Sequence, residues 1–305
     1  MTQTLEAMRR RIETAEDLHG VVRVMKALAA ASVRQYETAV ESVAEYRRTI
    51  EAGLQIVLHN RPEAIAAQDP GGGRWGVIVF GSDQGMCGSF NEQVGAFALE
   101  QLAALPGTRE DRSIVVVGSR VAGRLEDAGY AVDEPARMPS TVSGITAAVS
   151  ALLLEVEKLR FQEGIEQLLL IHHRPSGPVG SAPDRMQLLP IDRDWLEAIA
   201  TRRWDSRSLP TFSMDWRQLL SALIRQHLFV VLYRAFAESL ASENASRLAS
   251  MHTAERNIQG HLSRLSSDYH QSRQQQITEE LLDIVAGFET LTAEESSRAG
   301  SARKL

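Results

Sequence analysis

The sequence predicts an α/β protein in which long N- and C-terminal helices pair as an antiparallel coiled coil about a central domain with a mostly parallel sheet. Three observations predict it. Apolar residues recur at three/four spacing over the first 43 residues, a proline-free stretch near the other end repeats that spacing, and short β-branched runs alternate with helical stretches between them.

From Leu5, the positions separated by alternating steps of three and four are Leu5, Met8, Ile12, Ala15, His19, Val22, Lys26, Ala29, Val33, Tyr36, Val40 and Val43. Ten of the twelve are apolar, and no proline occurs before Pro62. A 3.5-residue period held for more than five heptads is the seam of a coiled coil, because it keeps one stripe facing a partner helix. At 1.5 Å per residue, residues 4–58 would extend roughly 80 Å. From Asp215 to Leu291 the chain again lacks proline, and Leu248, Met251, Ile258, Leu262, Leu265 and Tyr269 keep the same alternation. The phase then slips by about one residue to Ile277, Leu281, Ile284 and Phe288, as expected where one packing partner gives way to another. Before Leu248, LLSALIRQHLFVVLYRAFA is apolar on nearly every face and should be buried on several sides.

In the middle, GVIVFG (76–81), SIVVVG (113–118) and IEQLLLIH (165–172) read as strands, with helices near 92–104, 119–129 and 145–163. Alternating strands and helices predict a parallel sheet covered on both faces, here Rossmann-like. RMQLLPID (185–192) adds a last strand after a turn, RPSGPVGSAPD. The predicted organisation is an N-terminal coiled-coil helix (1–58), a Pro/Gly-rich linker (59–74), the α/β domain (75–211), a C-terminal coiled-coil helix (212–291) and a flexible tail (292–305).

Of the 305 residues, 44% are hydrophobic, which suits a globular chain of about two domains by length. A net charge of −6 argues against a general nucleic-acid binder. The single cysteine, Cys87, excludes an internal disulfide, and the opening MTQTLEAMRRRIE has no signal-peptide core, so a cytoplasmic location is expected. No stretch reaches 18 uncharged apolar residues: HLFVVLY (227–233) is bracketed by Arg225 and Arg234, so no membrane span is expected.

The segment VIVFGSDQGMCGSF (77–90) has the strand, glycine turn and helix start that can present backbone N–H groups to a phosphate. Its glycines are followed by no lysine and do not form a P-loop, and the G-x-G-x-x-G spacing at Gly71, Gly73 and Gly76 precedes the strand instead of following it. A tight strand-to-helix turn is therefore the expected role. His172 and His173, adjacent on a predicted strand, point to opposite faces and cannot share a metal. Two non-rotary readings remain open on the residues alone: a nucleotide-binding enzyme with a coiled-coil recognition arm, and a structural coiled-coil scaffold.

Five segments, in order along the chain, carry a resemblance: LEAMRRRIET (5–14), VMKALAAA (24–31), SDQGMCGSFN (82–91), SENASRLASM (242–251) and SRQQQITEELLDIVAG (272–287). The sequence resembles the gamma subunit of F-type ATP synthases, the central rotor shaft, over nearly its whole length. That resemblance implies a non-catalytic subunit with no cofactor, whose rotation, driven by proton or sodium flow, couples a membrane ring to ATP synthesis or hydrolysis on an alpha/beta hexamer. The implied partners are the alpha and beta subunits, the epsilon subunit and the c-ring. The implied location is the cytoplasmic face of the inner membrane, held peripherally.

The resemblance also implies site residues. Met25 and Lys26 match a Met-Lys pair facing the catalytic loops, Arg247 matches an arginine near them, and Arg273, Gln274, Thr278 and Glu280 match a polar catch on a beta-subunit loop. Two segments depart from the family pattern. Glu16 replaces a usual basic residue, and Gly20 stands inside a helix where glycine costs about 1 kcal/mol relative to alanine. At the foot, where the family has Tyr-Glu-Pro, this chain reads WDSRSLPT (204–211), so that Trp204, Asp205 and Arg207 stand in for the contact with the membrane ring. These departures suggest a divergent branch, for which an N-type, sodium-translocating ATPase is one candidate.

Overall fold

The computed structural model describes residues 5–66, 73–176, 180–204, 208 and 210–302; the side chains of residues 110 and 289–302 lie outside that description. In chain order the elements are α1 (Leu5–Asn60), α2 (Glu63–Ala66), β1 (Arg74–Phe80), α3 (Phe90–Ala104), a 3₁₀ turn (Arg109–Asp111), β2 (Arg112–Val117), α4 (Ser119–Asp127), α5 (Val142–Gln162), β3 (Ile165–Ser176), β4 (Gly180–Leu189), α6 (Arg193–Thr201) and α7 (Trp216–Ala302). The sheet order is β2-β1-β3-β4. β1 runs parallel to β2 and β3, and β4 closes one edge antiparallel to β3.

By Cα proximity the chain forms two compact units, one of Met1–Met25 with Met251–Leu305 and one of Lys26–Ser250. In the larger unit, period-two alternation along β1 sends Ile78 and Phe80 to one face and Val77 and Val79 to the other. The first face packs against α5, α1 and α7, with Phe80 edge-on to Phe236 at 4.7 Å between ring centroids. The second is covered by α3 and α4 through Val94, Ala98, Leu102, Val121 and Leu125. Both faces are dry, which is why the β1 and β2 sequences are continuous apolar runs.

Within this unit α1 and α7 pack against each other. Tyr46 Oη donates to Gln226 Oε1 at 2.8 Å, a Cβ on Gly53 would lie 2.8 Å from Leu223 Cδ2, and Tyr36 feels the charges of Glu243 and Arg247. Numbers rise on one helix as they fall on the other, so the pair is antiparallel. An 18-residue window of α7 reaches a mean hydropathy of 1.3, enough to cross a membrane by length and composition alone. The sequence reading passed over it because the window contains charged residues. Leu228, Val230, Leu232 and Phe236 of α7 are buried in the core, and 28% of the window as a whole is buried within the fold.

In the smaller unit the two helices meet at His19, whose Nε2 lies 3.3 Å from Gln259 Nε2 and 3.9 Å from Glu255 Oε1. Ala15, Met251 and Leu265 are buried, while Leu5, Met8, Ile12, Val22, Ile258, Leu262 and Tyr269 are half-buried. All twelve heptad positions read from α1 are buried or half-buried. From Arg273 to Phe288 every α7 side chain is exposed, the slipped-phase residues included.

Three elements differ from the sequence reading. Of the segment read as the turn RPSGPVGSAPD, residues 174–176 and 180–184 form the outer ends of β3 and β4, which pair from Leu168↔Leu189 to Ser176↔Gly180. Pro183 is tolerated there because β4 is an edge strand and needs no second ladder. A short helix, α6, follows β4; Asp192 caps it by accepting the Asp194 backbone N–H at 2.9 Å. α7 runs to Ala302, beyond the limit of 291 set by the loss of apolar spacing. Polar residues continue a helix when nothing such as proline interrupts it.

Gly20 sits on an exposed face of α1, and a Cβ placed there meets nothing within 4 Å. Gly20→Ala should therefore stabilise the helix by about 0.5–1 kcal/mol, read as a higher midpoint in chemical denaturation of the purified chain.

Candidate functional site: a closed turn against α7

β1 ends at Phe80 and α3 begins at Phe90, so Gly81–Ser89 must reverse direction in nine residues. Met86 and Gly88 adopt the left-handed region, with φ of 60° and 59°, and a Cβ on Gly88 would lie 2.9 Å from Ser250 Oγ. Only glycine satisfies both the backbone and the close approach to α7 at position 88.

The polar groups of this turn are matched internally. Ser82 N donates to Asn91 Oδ1 at 3.0 Å, and Asn91 Nδ2 donates to Ser82 Oγ at 2.9 Å. Asp83 reaches across to the start of α4, where its carboxylate accepts the Ser119 N–H at 2.9 Å and the Met138 N–H at 2.8 Å. A helix N-terminus beside a parallel strand is where an anion is best held. Here the anion at α4 is the chain's own carboxylate.

Two α7 residues lock the turn. Ser246 Oγ donates to the Cys87 carbonyl at 2.6 Å. Arg247 Nη2 pairs with Glu243 Oε1 at 2.6 Å and approaches the carbonyls of Gln84 and Gly85 at 3.5 and 3.4 Å. Both charged side chains are under 10% exposed. Burial pushes the Glu243 carboxyl above its ordinary range, with the Arg247 hydrogen bond and charge opposing. Burial likewise pushes the Cys87 thiol up, which makes it a poor nucleophile.

His172 and His173 do point to opposite faces of β3. His172 Nε2 meets Glu238 Oε2 at 3.0 Å, and Arg234 Nε donates to Glu238 Oε1 at 2.7 Å. His173 stacks on Phe90 at 4.0 Å, with neither ring nitrogen hydrogen-bonded among the described residues. Among the described residues no group of three or more His, Cys, Asp or Glu could hold a metal.

The residues singled out from sequence fall in different surroundings. Met25 and Lys26 are half-buried on α1, and Arg247 is buried in the turn lock. Arg273, Gln274, Thr278 and Glu280 are exposed on α7, where Thr278 Oγ1 donates to the Gln274 carbonyl at 2.9 Å and Gln276 Nε2 to Glu280 Oε1 at 3.1 Å. Trp204 is half-buried and donates Nε1 to the Ser208 carbonyl at 3.0 Å; Asp205 and Arg207 lie outside the described residues. Sequence reasoning missed Asp83, Glu243 and Ser246. The four-residue step from Glu243 to Arg247 was visible as a helical ion-pair spacing, but its burial was not.

Helical termini that pair with each other, together with an α/β sheet whose phosphate-like turn is filled by the chain's own side chains, define an α/β protein with a terminal helical hairpin. Residues 4–291 match the ATP synthase family model, and the chain belongs to that family. The ATP synthase gamma chain of Thermosynechococcus vestitus is 28% identical over 326 residues, covering 94% of this chain and 99% of that relative. That of Sinorhizobium fredii is 26% identical over 302 residues with the same coverage. Among solved structures, a chain of Euglena gracilis mitochondrial ATP synthase (OSCP/F1/c-ring, rotational state 3) shares the fold at a TM-score of 0.66 and 16% identity, covering 95% of both chains. A chain from the central stalk and c-ring of Tetrahymena thermophila mitochondrial ATP synthase aligns at a TM-score of 0.54 and 18% identity over 77% of this chain. The chain is thus a gamma-type, non-catalytic rotor subunit, and both non-rotary readings are set aside.

Two outcomes test the site. Arg247→Ala strands the buried Glu243 carboxylate and should cost about 3–5 kcal/mol. Adding Glu243→Gln should recover a substantial part of that loss, in a double-mutant cycle by chemical denaturation. The second concerns acid. Burial holds both His173 and His227 at a pKa of about 4 against an ordinary 6.5, with the neighbouring His172 reinforcing the effect at His173. Their contribution is complete above pH 6.5 and falls as pH drops toward 4, because the unfolded chain then binds protons that the folded chain refuses. Stability should decline by about 1.4 kcal/mol per pH unit per histidine across that window, and His173→Leu should remove its share of the slope.

Proposed function

We propose that this chain transmits torque between a membrane ion-driven ring and a catalytic alpha/beta hexamer by making different contacts with each of three catalytic subunits. The observation that carries the reading is the exposed apolar run Ile277, Leu281, Leu282, Ile284, Val285 and Phe288, 48–69% exposed on a helix whose preceding turns keep their apolar residues in a seam. Exposed apolar surface at this density marks a site of contact with another molecule. In a rotor it serves as a low-charge bearing, able to turn without forming fixed ion pairs.

The polar catch is Arg273, Gln274, Thr278 and Glu280, all exposed just before and within that run. Met25 and Lys26 are further contacts with the hexamer, and Arg247 supports them by fixing α7 to the β1–α3 turn. The Euglena gracilis structure is of an OSCP/F1/c-ring assembly, which supports an F1 head and a c-ring as partners. We assign the epsilon subunit as a further partner, the foot contact to Trp204, Asp205 and Arg207, and the location to the cytoplasmic face of the membrane, held peripherally. Nucleotide affinity and shaft angle are then linked reciprocally, since the shaft can bias each catalytic site only through differential contact energy.

Co-expression with alpha and beta subunits should yield one copy of this chain per hexamer and an ATPase activity that depends on it. Lys26→Glu or Arg273→Glu should leave hydrolysis running while ion pumping in reconstituted vesicles falls several-fold. Unchanged pumping in both variants, with normal assembly, removes these residues from the coupling path.

A further inference from the structure

The larger unit contains a cavity of about 570 Å³ that no part of the rotary reading uses. Residues distant in sequence wall it: Arg47 and Glu51 of α1, Met186 to Leu188 of β4, Trp195 of α6, and His227 to Glu238 of α7. Its volume is that of a small-molecule site, which usually falls between about 300 and 1,000 Å³. The apolar wall includes Leu188, Ile191, Val230 and Val231, and Trp195 lies against His227 with ring centroids 4.5 Å apart.

The polar groups of the cavity are unbalanced in a specific way. Each carboxylate is already matched. Glu238 holds Arg234 and His172, Glu51 holds both Arg47 at 3.4 Å and Arg202 at 3.2 Å, and Asp192 accepts the Asp194 N–H. The donors have capacity to spare. Arg47 and Arg234, whose side chains are 46% and 32% exposed, each reach their glutamate through Nε, which leaves the terminal amino groups of both guanidiniums to solvent or a ligand.

His172 and His227 each add one buried ring nitrogen without a partner among the described residues. Burial would raise the Glu238 carboxyl, but hydrogen bonds from His172 and Arg234 outweigh it and hold the group below its ordinary range. Because His172 Nε2 is engaged by Glu238 Oε2, the ring atom left for a ligand is Nδ1. That atom is buried without a partner, on a side chain only 1% exposed. A ligand suited to the cavity would bring acceptors for the two arginines and an apolar body to lie against Trp195, with the ring nitrogens of His172 and His227 as further polar partners.

We propose that this cavity is a binding site for a small amphipathic carboxylate with a flat apolar body, its carboxylate taken by the Arg47 and Arg234 guanidiniums. Guanidinium is the side chain best matched to a planar carboxylate. Occupancy would tie α1, α6 and α7 of this unit to one another through the ligand, giving the shaft a small-molecule brace independent of nucleotide.

The test uses the full chain and two probes of equal shape, 2-naphthoate and the uncharged 2-naphthamide, in isothermal titration calorimetry at pH 7.5. Naphthoate should bind once per chain, at least about tenfold more tightly than the amide, since a charge-assisted hydrogen bond is worth that factor or more. Arg47→Gln, which leaves Glu51 with Arg202, should weaken naphthoate by about tenfold. Val231→Phe should fill the cavity and abolish binding while thermal stability is kept. Absence of naphthoate binding, equal affinity for both probes, or Arg47→Gln binding like the parent chain each overturns the site. If Val231→Phe does not fold, the Arg47→Gln comparison decides alone; if it folds and still binds naphthoate like the parent chain, the probe sits elsewhere and the proposal falls.

Discussion

A helix with an apolar stripe every 3.5 residues is unstable as a free element in water, because its backbone order must be offset by a partner that covers the stripe. The rest of this structure depends on that constraint. α1 and α7 supply partners for each other, and α7 also covers one face of the sheet through Leu228, Leu232 and Phe236. One helix thus belongs to two packing problems, and the continuous apolar character of its N-terminal third follows from facing both. The exposed charges of α1 and α7 do little for stability: pairs such as Arg9 with Glu13, more than half exposed on both sides, are worth tenths of a kcal/mol.

The turn after β1 converts a nucleotide-like fold into a mechanical part. In parallel α/β sheets, the loops at the carboxyl ends of strands offer unmatched N–H groups, and that is what makes them ligand sites. Asp83 and Asn91 satisfy donors there from within, and Arg247 with Ser246 fastens the turn carbonyls to α7. The consequence is rigidity where relatives of the sheet architecture have chemistry. A buried ion pair such as Glu243–Arg247 is weak evidence for stability, since desolvation offsets its attraction. Its value here is specificity: the guanidinium fixes one rotation of α7 against the turn, which a purely apolar contact would leave less determined.

How much of this could be read from sequence follows from the range of the interactions. The α1 seam was legible at each of its twelve positions because helix burial repeats locally, and the β1, β2 and β3 runs were legible because double-sided burial demands apolar residues throughout. The hairpin ends beyond His172 on β3 and before Arg185 on β4 were not legible. Away from the core, an edge pair accepts Pro175, Pro183 and Gly180, which in isolation signal a turn. α6 was missed because nine residues, RDWLEAIAT, hold too few periods to stand out. At the site, the turn glycines were legible, whereas Asp83's partners lie 36 and 55 residues away and left no local trace. Arg247 was picked out by family likeness as a contact outside the chain; its partners within the chain are a separate role that periodicity could not assign.

The contrast along α7 is the last step. Up to Tyr269 the apolar residues keep the heptad phase and are covered; from Ile277 they change phase and are exposed. If the run existed only to extend the seam, the phase would have no reason to slip, and substitution to polar residues would cost nothing once the partner helix is left behind. Leaving Leu281, Ile284 and Phe288 in water forgoes about 25 cal/mol for each Å² of apolar surface that a partner could cover. Retaining them makes sense where that surface is covered in the assembled state. In the proposed rotary role, an apolar contact of this kind could be exchanged from one covering surface to the next as the helix turns. An apolar run of this kind favours contact while remaining nearly indifferent to angle, and angular preference is then left to the few polar residues beside it.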